Sequence, residues 1–255
     1  GRDLRPHHGL EPVMSAVEQS RDLRRFRRVV GAVLMPIGPA IVAVLRLISQ
    51  DDTHLGESIA GSPDAQLWYG VAGWLVLFTL VPGAYAAVHL ARRRRPVLAA
   101  WTAAFLIPGY LGMTALIAPG TAAHAGLAIG LTPAVATELA GAAFGAPGVA
   151  VPVLVFVVGH IVGVALLGVL AIRARLLPVG FGVALAASQV VHLIATILGL
   201  PWLDFLGWGT TALGMGMLGW RMLHTPDDEW DLPPEAVSHS AGLASATAAV
   251  RVDAS

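Results

Sequence analysis

Two histidines, His160 and His192, each stand deep inside a long apolar run. Ionisable groups are rare in such runs because burying them is costly, so each marks a functional candidate. The runs are predicted to be antiparallel membrane-spanning helices. At about 1.5 Å of rise per residue, His160 sits about 18 Å in from the outer end of its helix and His192 about 21 Å in from the inner end of the next. At those depths the two imidazoles can face one another. Around His160 the run reads Gly159-His160-Ile161-Val162-Gly163, which leaves backbone open beside the ring. Ser188 and Gln189 precede His192 by four and three residues, so all three share one helix face that must look inward.

Three chemistries fit this pattern. Two imidazoles from separate helices are the axial ligand set of a haem b, which makes His160 and His192 its ligands in that case and haem the only metal cofactor indicated. The same pair suits a site that binds or moves a small solute, a lipid or a proton. It also suits a hydrogen-bonded packing contact in a regulatory or assembly subunit. Three further groups are candidates on the outer side. Arg46 lies about 26 Å into the first span and can snorkel outward. Asp204 begins the last span at the same level, where a carboxylate favours the helix dipole, and its opposite charge predicts a pairing with Arg46. Glu138 lies in an outer loop, as a solvated charge or as the polar group of a lid.

Other chemistries are absent. All 16 basic residues are arginine, which excludes Schiff-base lysines, and there is no cysteine, which excludes disulfides, thiolate metal sites and iron–sulfur clusters. The acid-pair, zinc, serine-nucleophile and phosphate-loop motifs of common enzyme classes do not occur, so no catalytic residue is assigned. Charges cancel to net zero, which gives no reason to expect a nucleic-acid partner.

The elements that position these residues follow from composition. With 56% hydrophobic and 13% charged residues, the chain reads as an all-α integral membrane protein. A span needs about 20 apolar residues, and six such stretches are found at about 29–49, 68–91, 97–118, 148–172, 178–200 and 202–223. Arginines fall on one side of them: Arg21, Arg24, Arg25, Arg27 and Arg28 before the first, Arg92 to Arg95 between the second and third, Arg173 and Arg175 between the fourth and fifth, and Arg221 at the end of the sixth. The opposite loops carry Asp51, Asp52, Glu57, Asp64 and Glu138. Arginine-rich loops stay inside, so both termini are expected to be cytoplasmic, in a bacterial inner membrane.

Residues 1–28 form a basic N-terminal segment without an apolar core, so the first span is expected to act as its own insertion signal. Met14 is a candidate start, which would leave residues 1–13 outside the native chain. In the 119–147 loop, Thr132-Pro133 predicts a short interfacial helix closed by Gly145-Ala146-Pro147-Gly148. Residues 225–255, acidic and then Ser/Ala-rich, read as a disordered cytoplasmic tail. The glycine-rich 202–223 helix offers a small-residue face for close packing inside the bundle, for a second copy or for a membrane partner.

Overall fold

The computed structural model describes residues 22–48 and 54–232, so the segments 1–21, 49–53 and 233–255, including the expected start region and most of the acidic tail, lie outside the described residues. Among the described residues ten α-helices follow in order: α1 (Arg24–Leu47), α2 (Leu55–Gly61), α3 (Pro63–Ala91), α4 (Pro96–Gly112), α5 (Ile117–Ala128), α6 (Pro133–Gly145), α7 (Pro147–Arg173), α8 (Val179–Leu198), α9 (Pro201–Leu223) and α10 (Asp227–Trp230). Proline opens α3, α4, α6, α7 and α9, at the one helical position where its missing N–H costs nothing. Gly199, left-handed at φ 63°, closes α8 two residues before Pro201 restarts the chain as α9, which makes the tight hairpin expected from sequence.

Among the described residues five helical stretches are long and apolar enough to cross a membrane: Arg24–Leu47, Pro63–Ala91, Pro96–Ala128, Pro147–Arg173 and Val179–Leu198. The 23-residue α9 matches them in length, but Asp204, Thr210, Thr211, Arg221 and five glycines lower its apolarity. The third stretch departs from the expected boundary at residue 118. A 3-10 turn at Met113–Leu116 joins α4 to α5, so that helix continues ten residues further, to Ala128.

Six helices close a ring. α1 packs on α3 and α9, α9 on α8, α8 on α7, α7 on α4, and α4 back on α3. Large apolar side chains such as Phe78, Val97, Ile197 and Leu213 stand exposed on its outside, a surface suited to lipid and costly in water. The tightest seam is α4 against α7. A Cβ added to Gly109 would come within 2.6 Å of the backbone of Gly159 and His160, so these helices touch main chain to main chain. The glycines of α9 also serve the ring: Gly207 abuts the backbone of Ser188 and His192 on α8, Gly214 meets Leu185, and Gly219 abuts Ala32 on α1.

One end of the ring is capped by α2, α5 and α6 around a small core of Leu55, Ile59, Ala123, Ala136 and Ala140. Thr137 ties α6 to α2 by accepting the Gly56 N–H at 2.8 Å and donating to Glu57 at 3.1 Å. Within the 119–147 segment a helix does form over Pro133–Gly145, and Thr132 caps it by accepting the Val135 N–H at 3.4 Å.

The other end gathers the arginines, and here the first residues of the acidic tail depart from the expected disorder. Trp230 of α10 is buried with its ring 4.4 Å from that of His89. Around it Arg24 pairs with Asp228 at 2.6 Å, Arg28 with Asp227 at 3.3 Å, and Arg27 and Arg92 with Asp231 at 3.0 Å. Local composition predicts a solvated tail; a complementary basic face with an aromatic slot converts it into a docked turn.

Two outcomes are expected. Gly109→Ala should destabilise the protein by about 1–3 kcal/mol in detergent denaturation, since only movement of a helix makes room. Asp231 is raised by burial, but the Leu232 N–H and the neighbouring His89, Arg27 and Arg92 outweigh this and hold it below the usual carboxylate range. Its contribution to docking is complete above the ordinary aspartate value of about 3.9 and is lost as pH falls through the lowered value. Hydrogen-exchange protection of residues 226–231 should thus survive at pH 5 and fall in stronger acid, and Asp231→Asn should loosen the segment already at pH 7.

Candidate functional site

The last turn of α1 presents Arg46 and the first turn of α9 presents Asp204, and the ring sets them side by side with Arg46 Nε 3.4 Å from Asp204 Oδ2. The other carboxylate oxygen of Asp204 lies 2.5 Å from His192 Nδ1 on α8. An ionised carboxylate only accepts, so Nδ1 of His192 carries the hydrogen and Nε2 is left as the basic nitrogen. One buried carboxylate thereby joins three helices.

His160 of α7 faces the same cluster, its ring centroid 5.5 Å from that of His192. Its Nδ1 lies 2.5 Å from the Phe156 carbonyl oxygen, which can only accept, so this ring too holds its hydrogen on Nδ1 and presents Nε2 as a base. Phe156 stacks on it at 4.2 Å. Trp208 lies parallel to His160 at 5.8 Å and edge-on to His192 at 5.4 Å. Deeper along the α8–α9 seam, Thr211 Oγ1 shares a hydrogen bond of 2.8 Å with Ser188 and accepts from Gln189 Nε2 at 2.7 Å.

Ser188, Gln189, His192, His160, Arg46 and Asp204 therefore converge, whereas Glu138 is exposed on α6 and joins none of them. Phe156, Trp208 and Thr211 were not singled out by sequence. The signal for two of them was present: 204, 208 and 211 follow the i, i+4, i+7 spacing of one helix face.

Three buried polar atoms on these seams have no partner among the described residues: His160 Nε2 and Gln189 Oε1, both acceptors, and Trp208 Nε1, a donor. Buried polar groups are nearly always satisfied, so this set is what a small hydrogen-bonding guest or a transferable proton would complete. Arg46 alone of the charged members is substantially exposed, at 32% of its side chain, against 7% for Asp204 and 8% for His192. The array thus runs from a half-open guanidinium to an enclosed imidazole pair.

A haem between His160 and His192 does not fit this packing. Trp208 is fully buried against both rings, and α8 and α9 are held together by the Thr211 and Asp204 bonds, so a macrocycle would have to displace the indole and part the helices. Among the described residues no three metal-ligating side chains gather either. No family model, curated protein or solved structure matches the chain.

Because Asp204 serves two partners, Asp204→Ala should cost about 3–5 kcal/mol in denaturation of the detergent-purified protein, as removing one member of a buried pair does. Arg46→Gln should cost less, and in an Asp204→Ala background it should cost almost nothing. Additive losses in that double-mutant cycle would show that the two groups are not coupled.

Proposed function

We propose that the chain is a six-span protein of a bacterial cytoplasmic membrane, with both termini inside, that takes up a proton from the outer side at His192 and His160 and uses it to bind or move a small solute. α9 supports the sixth span: it is long enough, it runs antiparallel to α8, and it completes the ring between α8 and α1. The arginine-rich end supports the orientation, since basic loops are retained on the cytoplasmic side. That places the α2, α5 and α6 cap, Arg46 and Asp204 outside, with α6 at the outer interface.

The observation that carries the reading is the buried Asp204 carboxylate on His192 Nδ1, with a second imidazole at 5.5 Å. A carboxylate that fixes the Nδ1–H of an imidazole leaves Nε2 as the nitrogen that takes a proton, and a neighbouring base at that spacing receives it through a modest ring movement or one water. Packing alone would call for apolar side chains here, because buried ion pairs rarely add net stability.

The test is proton movement in vesicles. Protein is reconstituted into phosphatidylcholine vesicles with a pH-sensitive dye inside, and the outside is acidified. Wild type should acidify the lumen faster than protein-free vesicles. His192→Gln and His160→Gln should fold normally and slow this at least about tenfold, within the loss seen when a positioned acid–base group is removed. Folded variants that match wild type, or a wild type no faster than empty vesicles, would refute proton passage through the pair.

A further inference from the structure

At the arginine-rich end a cavity of about 330 Å³ is lined by Arg94, Arg95, Arg173, Ala174 and Arg175. Its walls are the start of α4 and the end of α7, both membrane-spanning stretches, so it lies where those helices leave the apolar layer. Arg94 Nη1 donates to the Ala174 carbonyl at 3.1 Å and Arg95 Nε to the Arg173 carbonyl at 3.0 Å, which fixes two guanidiniums against the end of α7. Elsewhere at this end Arg24, Arg27, Arg28 and Arg92 are paired with Asp22, Asp228, Asp231 and Asp227. Among the described residues the one carboxylate on a cavity arginine is Glu229, 3.7 Å from Arg94, and no carboxylate pairs with Arg95, Arg173 or Arg175.

The backbone adds an independent observation. α7 ends with Arg175 N–H bonded to the Ile172 carbonyl at 3.0 Å and Leu176 N–H to the Ala171 carbonyl at 2.8 Å, the paired bonds of a Schellman end. The residue at its left-handed position is ordinarily glycine. Here it is Arg175 at φ 56°, alone among described non-glycine residues in having a positive φ. Keeping a guanidinium where glycine would relieve strain points to a use for that side chain.

We propose that the cavity binds a phosphate group through these four arginines, and that its level in the bundle assigns the phosphate to the headgroup of an anionic phospholipid. Guanidiniums suit this chemistry because they form paired, charge-assisted hydrogen bonds to phosphate oxygens. The site is independent of the histidine pair, which lies in the interior of the bundle.

Native mass spectrometry of the full chain released from phosphatidylcholine nanodiscs containing phosphatidylglycerol tests it. Wild type should retain one phosphatidylglycerol. Arg175→Gly should raise the thermal midpoint while weakening retention about tenfold, the value of one charge-assisted contact, and Arg95→Gln with Arg173→Gln should do at least the same to retention. Arg25→Gln, which removes an exposed charge outside the cavity, should change nothing. The proposal fails if Arg175→Gly binds as wild type, or if Arg25→Gln weakens binding equally, the mark of a diffuse basic surface. The lipid assignment fails if millimolar inorganic phosphate displaces the phosphatidylglycerol.

Discussion

A carboxylate cannot remain ionised in an apolar interior unless its oxygens are filled, and Asp204 meets that condition with groups from two other helices. Its oxygens take Arg46 from α1 and His192 from α8, so the first turn of α9 has one seat in the ring. From that seat the rest of α9 follows in register: Trp208 meets the imidazoles one turn on, Thr211 meets Ser188 and Gln189 one turn further, and Gly219 reaches Ala32 at the far end of α1. The polar contacts select the register, and the glycines permit the close approach that the polar contacts require.

His160 enters the cluster by a different route. Nothing hydrogen-bonds it across helices; it is carried there by α7, whose depth and rotation are set by the Gly109 and Gly159 contact with α4. This separates the two imidazoles mechanically. His192 is held by the Asp204 carboxylate and His160 by packing and its own helix carbonyl, with 5.5 Å between the ring centroids.

Much of the site was legible in sequence because its signals are local. Ser188, Gln189 and His192 share a face by spacing alone, and Arg46 and Asp204 sit at matching depths by counting residues. Trp208 was marked only by its i+4 spacing from Asp204, a weak signal because an indole in a membrane helix reads equally as lipid anchor or core. Thr211 was hidden among the small residues of α9. The continuation of the third helix to Ala128 was obscured by Pro119, Gly120 and Gly126, which signal a loop but sit in a first helical turn or on a tight face. The docking of residues 227–231 could not be read at all, because its partners lie more than 130 residues away in the chain.

The two ends of the bundle use the same residue types under opposite physical conditions. At the arginine-rich end most pairs include a partner with substantial exposure, such as Asp228 at 84% and Glu229 at 61%, so water and salt screen them and each is worth little alone. Trp230 supplies the burial that those pairs then orient. At the opposite end a single carboxylate is enclosed, screening is weak, and the same charges become expensive to separate. Ionic strength should therefore act mainly on the docked α10 segment and leave the Asp204 cluster intact. The fold thus keeps its screened, adjustable electrostatics at one end of the bundle and its enclosed charge near the other.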